Sequence, residues 1–143
     1  MNYNKSVRFD NVQVFDTWGL LLEKFTISPP EPELITIDVP GRDGVIDITE
    51  NLFGTVPYKN RTINITLTMP DKDTWAETYT NLLTDIHGKT KQIVFDADPG
   101  YYYTGRCRVA NHDREGRKAV TFEIEVDADP YKYLISDPTQ KTL

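Results

Sequence analysis

The sequence predicts a mainly β fold, an antiparallel β-sandwich or open barrel, with one packed α-helix at about residues 73–87. Three observations carry this. Period-two alternation recurs along the chain, most cleanly at Arg61–Met69 and Ala119–Val126, and a two-residue period gives a sheet one core face and one wet face. Helical spacing appears in one stretch, from Trp75 to Ile86. Helices and strands do not alternate, so a doubly wound parallel sheet is not expected. At 143 residues the chain falls in the range of one domain, roughly 100–200 residues, and can bury about two thirds of its unfolded surface.

Taken in order, Val12, Val14 and the stretch Leu20–Phe25–Ile27 suggest two short strands with Asp16–Gly19 as the turn. Ser28–Glu33 holds three prolines, which lack the ladder N–H, so it reads as a loop or an edge. Leu34–Val39 reads as a strand with Ile35, Ile37 and Val39 on one face. Gly41-Arg42-Asp43-Gly44 is a tight turn, and Val45–Thr49 alternates after it with Ile46 and Ile48 on one face. In Arg61–Met69, Ile63, Ile65, Leu67 and Met69 point one way and Thr62, Asn64, Thr66 and Thr68 the other.

For the helix, Thr74 and Glu77 fit a capping box. Trp75, Tyr79, Leu82, Leu83 and Ile86 make one apolar stripe facing the sheet. Gly88 suits the left-handed position after the last turn, and His87 sits where a cation favours the dipole. Strands resume at Gln92–Phe95 and Tyr101–Ala110, a loop follows at Asn111–Arg117, and Ala119–Val126 alternates with Val120, Phe122, Ile124 and Val126 inward. Asp127-Ala128-Asp129-Pro130 echoes Asp96-Ala97-Asp98-Pro99, and tyrosines follow both copies. Residues 1–135 are read as one domain of seven to nine strands, and 136–143 as a polar, frayed tail.

Sixteen Lys and Arg against 22 Asp and Glu leave a net charge of −6, which argues against general binding to phosphate backbones or anionic lipid. The single cysteine, Cys107, excludes an internal disulfide, and with two histidines it cannot build a Cys-rich zinc site. No apolar run approaches the ~20 residues that span a bilayer. Met1–Arg8 lacks the apolar stretch of a signal peptide, so the chain reads as made and kept in a cell, or exported without one.

Catalytic chemistry finds no foothold. None of the three serines lies in the glycine-flanked turn that exposes a nucleophile. Cys107 stands between Arg106 and Arg108, cations that lower a thiol pKa, yet a small buried or half-buried strand residue is the simpler reading. The Asp-x-Asp pairs offer hard oxygens to Ca²⁺, but Asp before Pro is ordinary turn chemistry. No spacing singles out a carboxylate pair for glycoside hydrolysis. The sequons at Asn60 and Asn64 read as polar strand-face residues. Tyr101, Tyr102 and Tyr103 suit a sugar platform or a subunit interface, with at least one of them in the core. No enzyme, cofactor or metal is called for.

Four stretches in this order form a pattern: Gly41–Thr49 followed by Gly54, Val56, Tyr58, Asn60 and Arg61; Ile86-His87-Gly88-Lys89; Asp96–Arg106; and Asp129-Pro130-Tyr131-Lys132-Tyr133. Over about residues 10–135 they resemble the N-terminal domain of the distal tail protein of long, non-contractile-tailed bacteriophages (siphoviruses) and their prophages. The resemblance implies a β-sandwich flanked by a helix and a hairpin, related to tail-tube subunits. It implies a virion structural protein, made in the bacterial host cytoplasm and placed at the distal end of the tail. There a ring of six copies, a baseplate hub, would join the tail-tube protein to tail-tip and tail-associated adhesion proteins and let DNA through its channel, without binding membrane. Many members carry a second, carbohydrate-binding-like domain; the chain stops at Leu143, and that domain's function is not carried over.

The structural and interface candidates implied by the motifs are Gly41, Arg42, Asp43, Gly44, Gly54, Tyr58, Arg61, Asp98, Pro99, Tyr102, Tyr103, Gly105, Arg106, Asp129, Pro130 and Tyr131. The glycines are expected at turns or close approaches, and Arg42, Arg61 and Arg106 opposite Asp43, Asp47 or Asp96. Two other readings stay open: a tail-tube or connector subunit of the same fold, and a monomeric carbohydrate-binding module.

Overall fold

A computed structural model of the chain describes residues 6–69, 74–113 and 120–143. The best alternating runs form the centre of the sheet. β6 (Arg61–Met69) and β9 (Val120–Ala128) pair antiparallel along their whole length, Arg61 opposite Ala128 and Met69 opposite Val120. Ile63, Ile65, Leu67, Phe122, Ile124 and Val126 are almost wholly buried on one face. Around this pair the strands run β2-β1-β7-β8-β9-β6-β3, all antiparallel. Here β1 is Val7–Phe9, β2 Val12–Gln13, β3 Leu21–Ile27, β7 Thr90–Phe95 and β8 Tyr101–Asp113.

The sheet curls over its own apolar face. Phe25 on edge strand β3 stacks on Phe95 of β7 at 4.4 Å between ring centres, although three strands separate β3 from β7 in the sheet order. That contact requires the two ends of the sheet to face each other, as in a sandwich or an open barrel. Its interior holds Val7, Phe9, Ile93, Phe95, Phe122 and Ile124, each at most 2% exposed.

Helix α3 (Trp75–Asp85) lies against this core. Leu82 and Ile86 are fully buried, and Trp75, Tyr79 and Leu83 pack partly buried beside them, so the predicted stripe is the packed face. Two details differ. Thr74 makes no side-chain cap, so the expected capping box is not formed. His87 accepts a hydrogen bond on Nδ1 from the Val109 N–H at 3.0 Å, which ties the helix end to β8. Gly88 has the expected positive φ, 77°.

The remaining elements correct the expectations. Val14–Trp18 is a short helix, α1, and not strand and turn; it buries Val14 and ends at Gly19. A second short helix, α2 (Thr49–Phe53), begins where a strand was expected to end. β8 runs through Asn111 to Asp113, into the expected loop; the rest of that loop lies outside the described residues. The tail is no frayed end: β11 (Asp137–Thr142) pairs with β10 (Lys132–Leu134), which pairs with the start of β8. Eleven strands stand among the described residues, two more than the upper expectation. None of the described helices is long and apolar enough to cross a membrane.

Candidate assembly surface

Many of the motif residues lie in two places, an arm and the aromatic cluster at its root; the Ile86–Lys89 stretch, Gly105 and Arg106 lie apart from both, where the end of α3 meets β8. The arm is the chain between Glu31 and Lys59. Its neck is clasped by main-chain hydrogen bonds from Glu33 N–H to Pro57 O, 2.8 Å, and from Lys59 N–H to Glu31 O, 2.9 Å, around a single bridge between Pro32 and Tyr58. Beyond the neck, β4 (Thr36–Asp38) and β5 (Val45–Asp47) form a two-stranded sheet separate from the large one. The cross-strand pairs are Thr36–Asp47, Ile37–Ile46 and Asp38–Val45. Opposite residues share a face, so Ile37 and Ile46 stand together on one side, with Ile35, Val39 and Ile48 in step with them. Thr36, Asp38, Val45 and Asp47 occupy the other.

A small polar network closes the arm. Thr49 is its one buried residue, 2% exposed. The Ile35 N–H donates to Thr49 Oγ1 at 2.8 Å, and the Thr49 hydroxyl donates to Asp47 Oδ1 at 2.6 Å. The Thr49 N–H also donates to Asp47, at 3.0 Å. These two bonds, the hydroxyl's first, hold the Asp47 carboxyl below its ordinary pKa. Gly41, Arg42, Asp43 and Gly44 form the exposed tip of the hairpin, and Gly54 ends α2 at φ 76°.

At the root, the two Asp-Pro echoes meet. Lys132 Nζ, after the second echo, donates to Asp98 Oδ2 of the first at 2.6 Å, a bond that raises the Lys132 pKa. Lys132 also lies 4.5 Å over the Tyr101 ring, and Tyr102 stacks on Tyr133 at 5.6 Å. Asp129 accepts from the Tyr131 N–H and the Tyr133 hydroxyl; desolvation first, then this bond, raises the Tyr133 pKa. Tyr131 meets Tyr58 of the neck edge-on at 6.3 Å, so the arm is seated on the second echo. Pro99 lies in the turn between β7 and β8.

Arg61 locks this region from below. It is 7% exposed, donates from Nε to Ser28 O at 3.0 Å and from Nη1 to Pro130 O at 3.1 Å, and lies 5.8 Å from the Tyr103 ring centre. The expected arginine–aspartate pairs are not made within the described chain. Arg106 donates to Gly88 O, Asp96 accepts from the Ser6 N–H, and Asp47 serves Thr49. Gly105 is a close approach: an added Cβ would stand 2.6 Å from Asp127 O and from Val126 Cγ1.

The chemistry considered earlier is occupied by structure. Burial pushes the Cys107 thiol up to about 12, against any activation by its flanking arginines. The four echo-motif aspartates include a backbone acceptor, a lysine partner and a tyrosine partner. Among the described residues no group of three or more His, Cys, Asp and Glu is placed to hold a metal ion. Sequence reasoning missed Thr49, Leu52 and Phe53. A β-branched hydroxyl two residues after Asp47 was the available signal for the first.

Residues 15–128 match the profile of a family described as phage tail protein RIFT-related domain. No curated protein matches the chain. Among solved structures, the chain is similar to SPP1 Dit, described as a paradigm of the hub adsorption apparatus in Gram-positive infecting phages. Identity is 19%, the TM-score is 0.67, and the match covers 90% of this chain and 51% of that one. The chain thus has that protein's fold over about half of that protein's length.

Proposed function

This chain belongs to the phage tail protein RIFT-related domain family, and on that premise we propose that it is a structural protein of the distal end of a long, non-contractile phage tail. Copies form a ring, six in number, that joins the tail tube to the tail-tip proteins and leaves a channel for DNA. The observation that carries this reading is the family match, which runs unbroken through arm, neck and body. Likeness to the fold of a hub protein supports it. The motif residues then act as scaffold: Tyr58, Arg61, Asp98, Tyr102, Tyr103, Asp129 and Tyr131 seat the arm, and Gly41–Gly44 shape its tip. No chemical step is assigned to them.

A sugar-binding module would need open aromatic faces. Trp18 packs partly buried against the core, and Tyr101, Tyr102, Tyr131 and Tyr133 are half-buried against one another and their lysines. The test is solution mass by light scattering over a concentration series, with negative-stain images. A closed ring of six weighs about 98 kDa, six times the 16.4 kDa chain. Open-ended tubes would make it a tube subunit instead, and a monomer at every concentration would overturn the ring.

A further inference from the structure

The tip of the arm carries Asp43-Gly44, the one place in the sequence where Asp or Asn precedes Gly. Both residues are exposed. Gly44 has a positive φ of 74°, and a Cβ built there would meet nothing within 4 Å, so the space beside its nitrogen is open. Among the described residues the tip is held by one main-chain bond, from the Arg42 N–H to Val39 O at 3.2 Å, and neither the Gly44 N–H nor the Asp43 carboxyl takes a partner. The arm's other two aspartates are set differently. Asp38 precedes Val39 and Asp47 precedes Ile48, whose stiff β-branched side chains crowd their own amide nitrogens. The Asp47 carboxyl accepts from the Thr49 N–H and hydroxyl, and the Ile48 N–H donates to Ile35 O at 2.9 Å. Carboxyl and following nitrogen are both engaged at Asp47 and both open at Asp43.

We propose that Asp43-Gly44 is a self-modification site, where the main chain passes from an aspartyl to an isoaspartyl linkage. The Gly44 nitrogen attacks Cγ of the protonated Asp43 carboxyl. A C–N bond forms, the carboxyl's hydroxyl leaves with the amide hydrogen as water, and a succinimide ring closes. Water then adds to one of the ring's two carbonyls. Opening at Cγ restores aspartate. Opening at the main-chain carbonyl carries the chain through Cγ and leaves the former main-chain carbonyl as a free carboxylate. The water lost is regained, so the step needs no oxidant, cofactor or second protein. Glycine suits it because, without a Cβ, it leaves the nitrogen accessible and the local backbone free to turn. The isoaspartyl form adds one carbon to the main chain between β4 and β5 and keeps the negative charge. The Thr49 network and the neck bonds lie at the other end of the ribbon, so the change is confined to the tip. The inference rests on the tip alone and stands apart from the ring reading.

The experiment holds the folded full chain at neutral pH in water enriched in heavy oxygen and samples it over weeks, with circular dichroism as the check that it stays folded. Digestion after lysine releases the peptide Phe25–Lys59, which contains all three arm aspartates. Each succinimide that reopens leaves one heavy oxygen, and fragmentation in the mass spectrometer places it. The endoprotease Asp-N, which cuts before aspartate and not before isoaspartate, reports the new linkage. Heavy oxygen and resistance to Asp-N should both accumulate at Asp43, while Asp38 and Asp47 stay unlabelled. Asp43→Glu keeps the charge but would have to close a larger, disfavoured ring, so the label at that position should be lost. An unlabelled Asp43 overturns the proposal, as does a glutamate variant that still takes label. Labelling of Asp38 and Asp47 as fast as Asp43 overturns the selection by local structure. Heavy oxygen at Asp43 without resistance to Asp-N overturns the isoaspartyl product.

Discussion

Arg61 is a buried cation whose hydrogen bonds go to two main-chain carbonyls, Ser28 O and Pro130 O. It joins the end of β3, the start of β6 and the turn after β9, three segments far apart in sequence. Hydrogen bonds to a charged group contribute about 1.5–3 kcal/mol each, and buried carbonyls left without donors add a penalty. Arg61→Met keeps the length and loses both bonds, so a loss of about 2–4 kcal/mol is expected, read as a lower urea midpoint at unchanged slope. Arg61→Lys should recover less than half, because an ammonium cannot fork. Gly105 acts by what it lacks. Gly105→Ala forces a methyl against Asp127 O in the paired strand and should cost about 1–3 kcal/mol. At Gly100, where an added Cβ meets nothing within 4 Å, alanine should stay within about 0.5 kcal/mol. Equal effects at the two glycines would refute the close-approach account.

At the scale of elements, the arm and β11 are held differently from the body. β11 reads Asp-Pro-Thr-Gln-Lys-Thr, with almost every side chain exposed; backbone pairing with β10 orders it, so no alternation announces it. α2 is five residues long, too short for a periodic signal. β6, β9 and α3 were legible because each buries one face, which imposes a period. The arm's network predicts a pH effect. Asp47 has a depressed pKa when folded, so its contribution to arm order is fully present above the unfolded value, about 3.9. That contribution fades as pH falls through the lower folded value. Exchange at residues 35–49 should therefore accelerate below about pH 4, before the body unfolds. Asp47→Asn should flatten that dependence. Thr49→Val removes the acceptor of the Ile35 N–H and should loosen the arm by about 1–2 kcal/mol, seen as faster proteolysis within 34–53 at an unchanged body melting temperature.

For the whole molecule, the arm and the curled sheet bury very different amounts of side chain and share one neck. Among the described residues the body holds every buried side chain but that of Thr49, and the neck ends at Glu31 and Lys59 are already hydrogen-bonded to each other. Replacing residues 34–56 with a short Gly-Ser linker should leave a chain that folds and melts within a few degrees of the parent, since ~1 kcal/mol moves the melting point of such a domain only a few degrees. Loss of the near-UV signal would show instead that the arm supports the core. In the same chain, Leu82→Ala should cost about 2–5 kcal/mol, because Leu82 is fully buried where α3 meets the sheet.

By itself the sequence determined the fold class, the central pair β6 and β9, the packed stripe of α3 and the motif set that marks the family. These are local in kind: a period of two or near 3.6 is written in neighbouring residues, because each such element buries one face. Only the tertiary structure decided that β3 curls to meet β7, that the two Asp-Pro echoes lock through Lys132 and Asp98, and that Arg61 bonds carbonyls in place of carboxylates. It alone shows that the alternating isoleucines of the arm, with the same pattern as core strands, lie outside the core. Alternation says that a strand has two unlike faces. Whether the apolar face turns into its own domain or out of it depends on where the neck sends the ribbon, and contacts between distant segments set that direction.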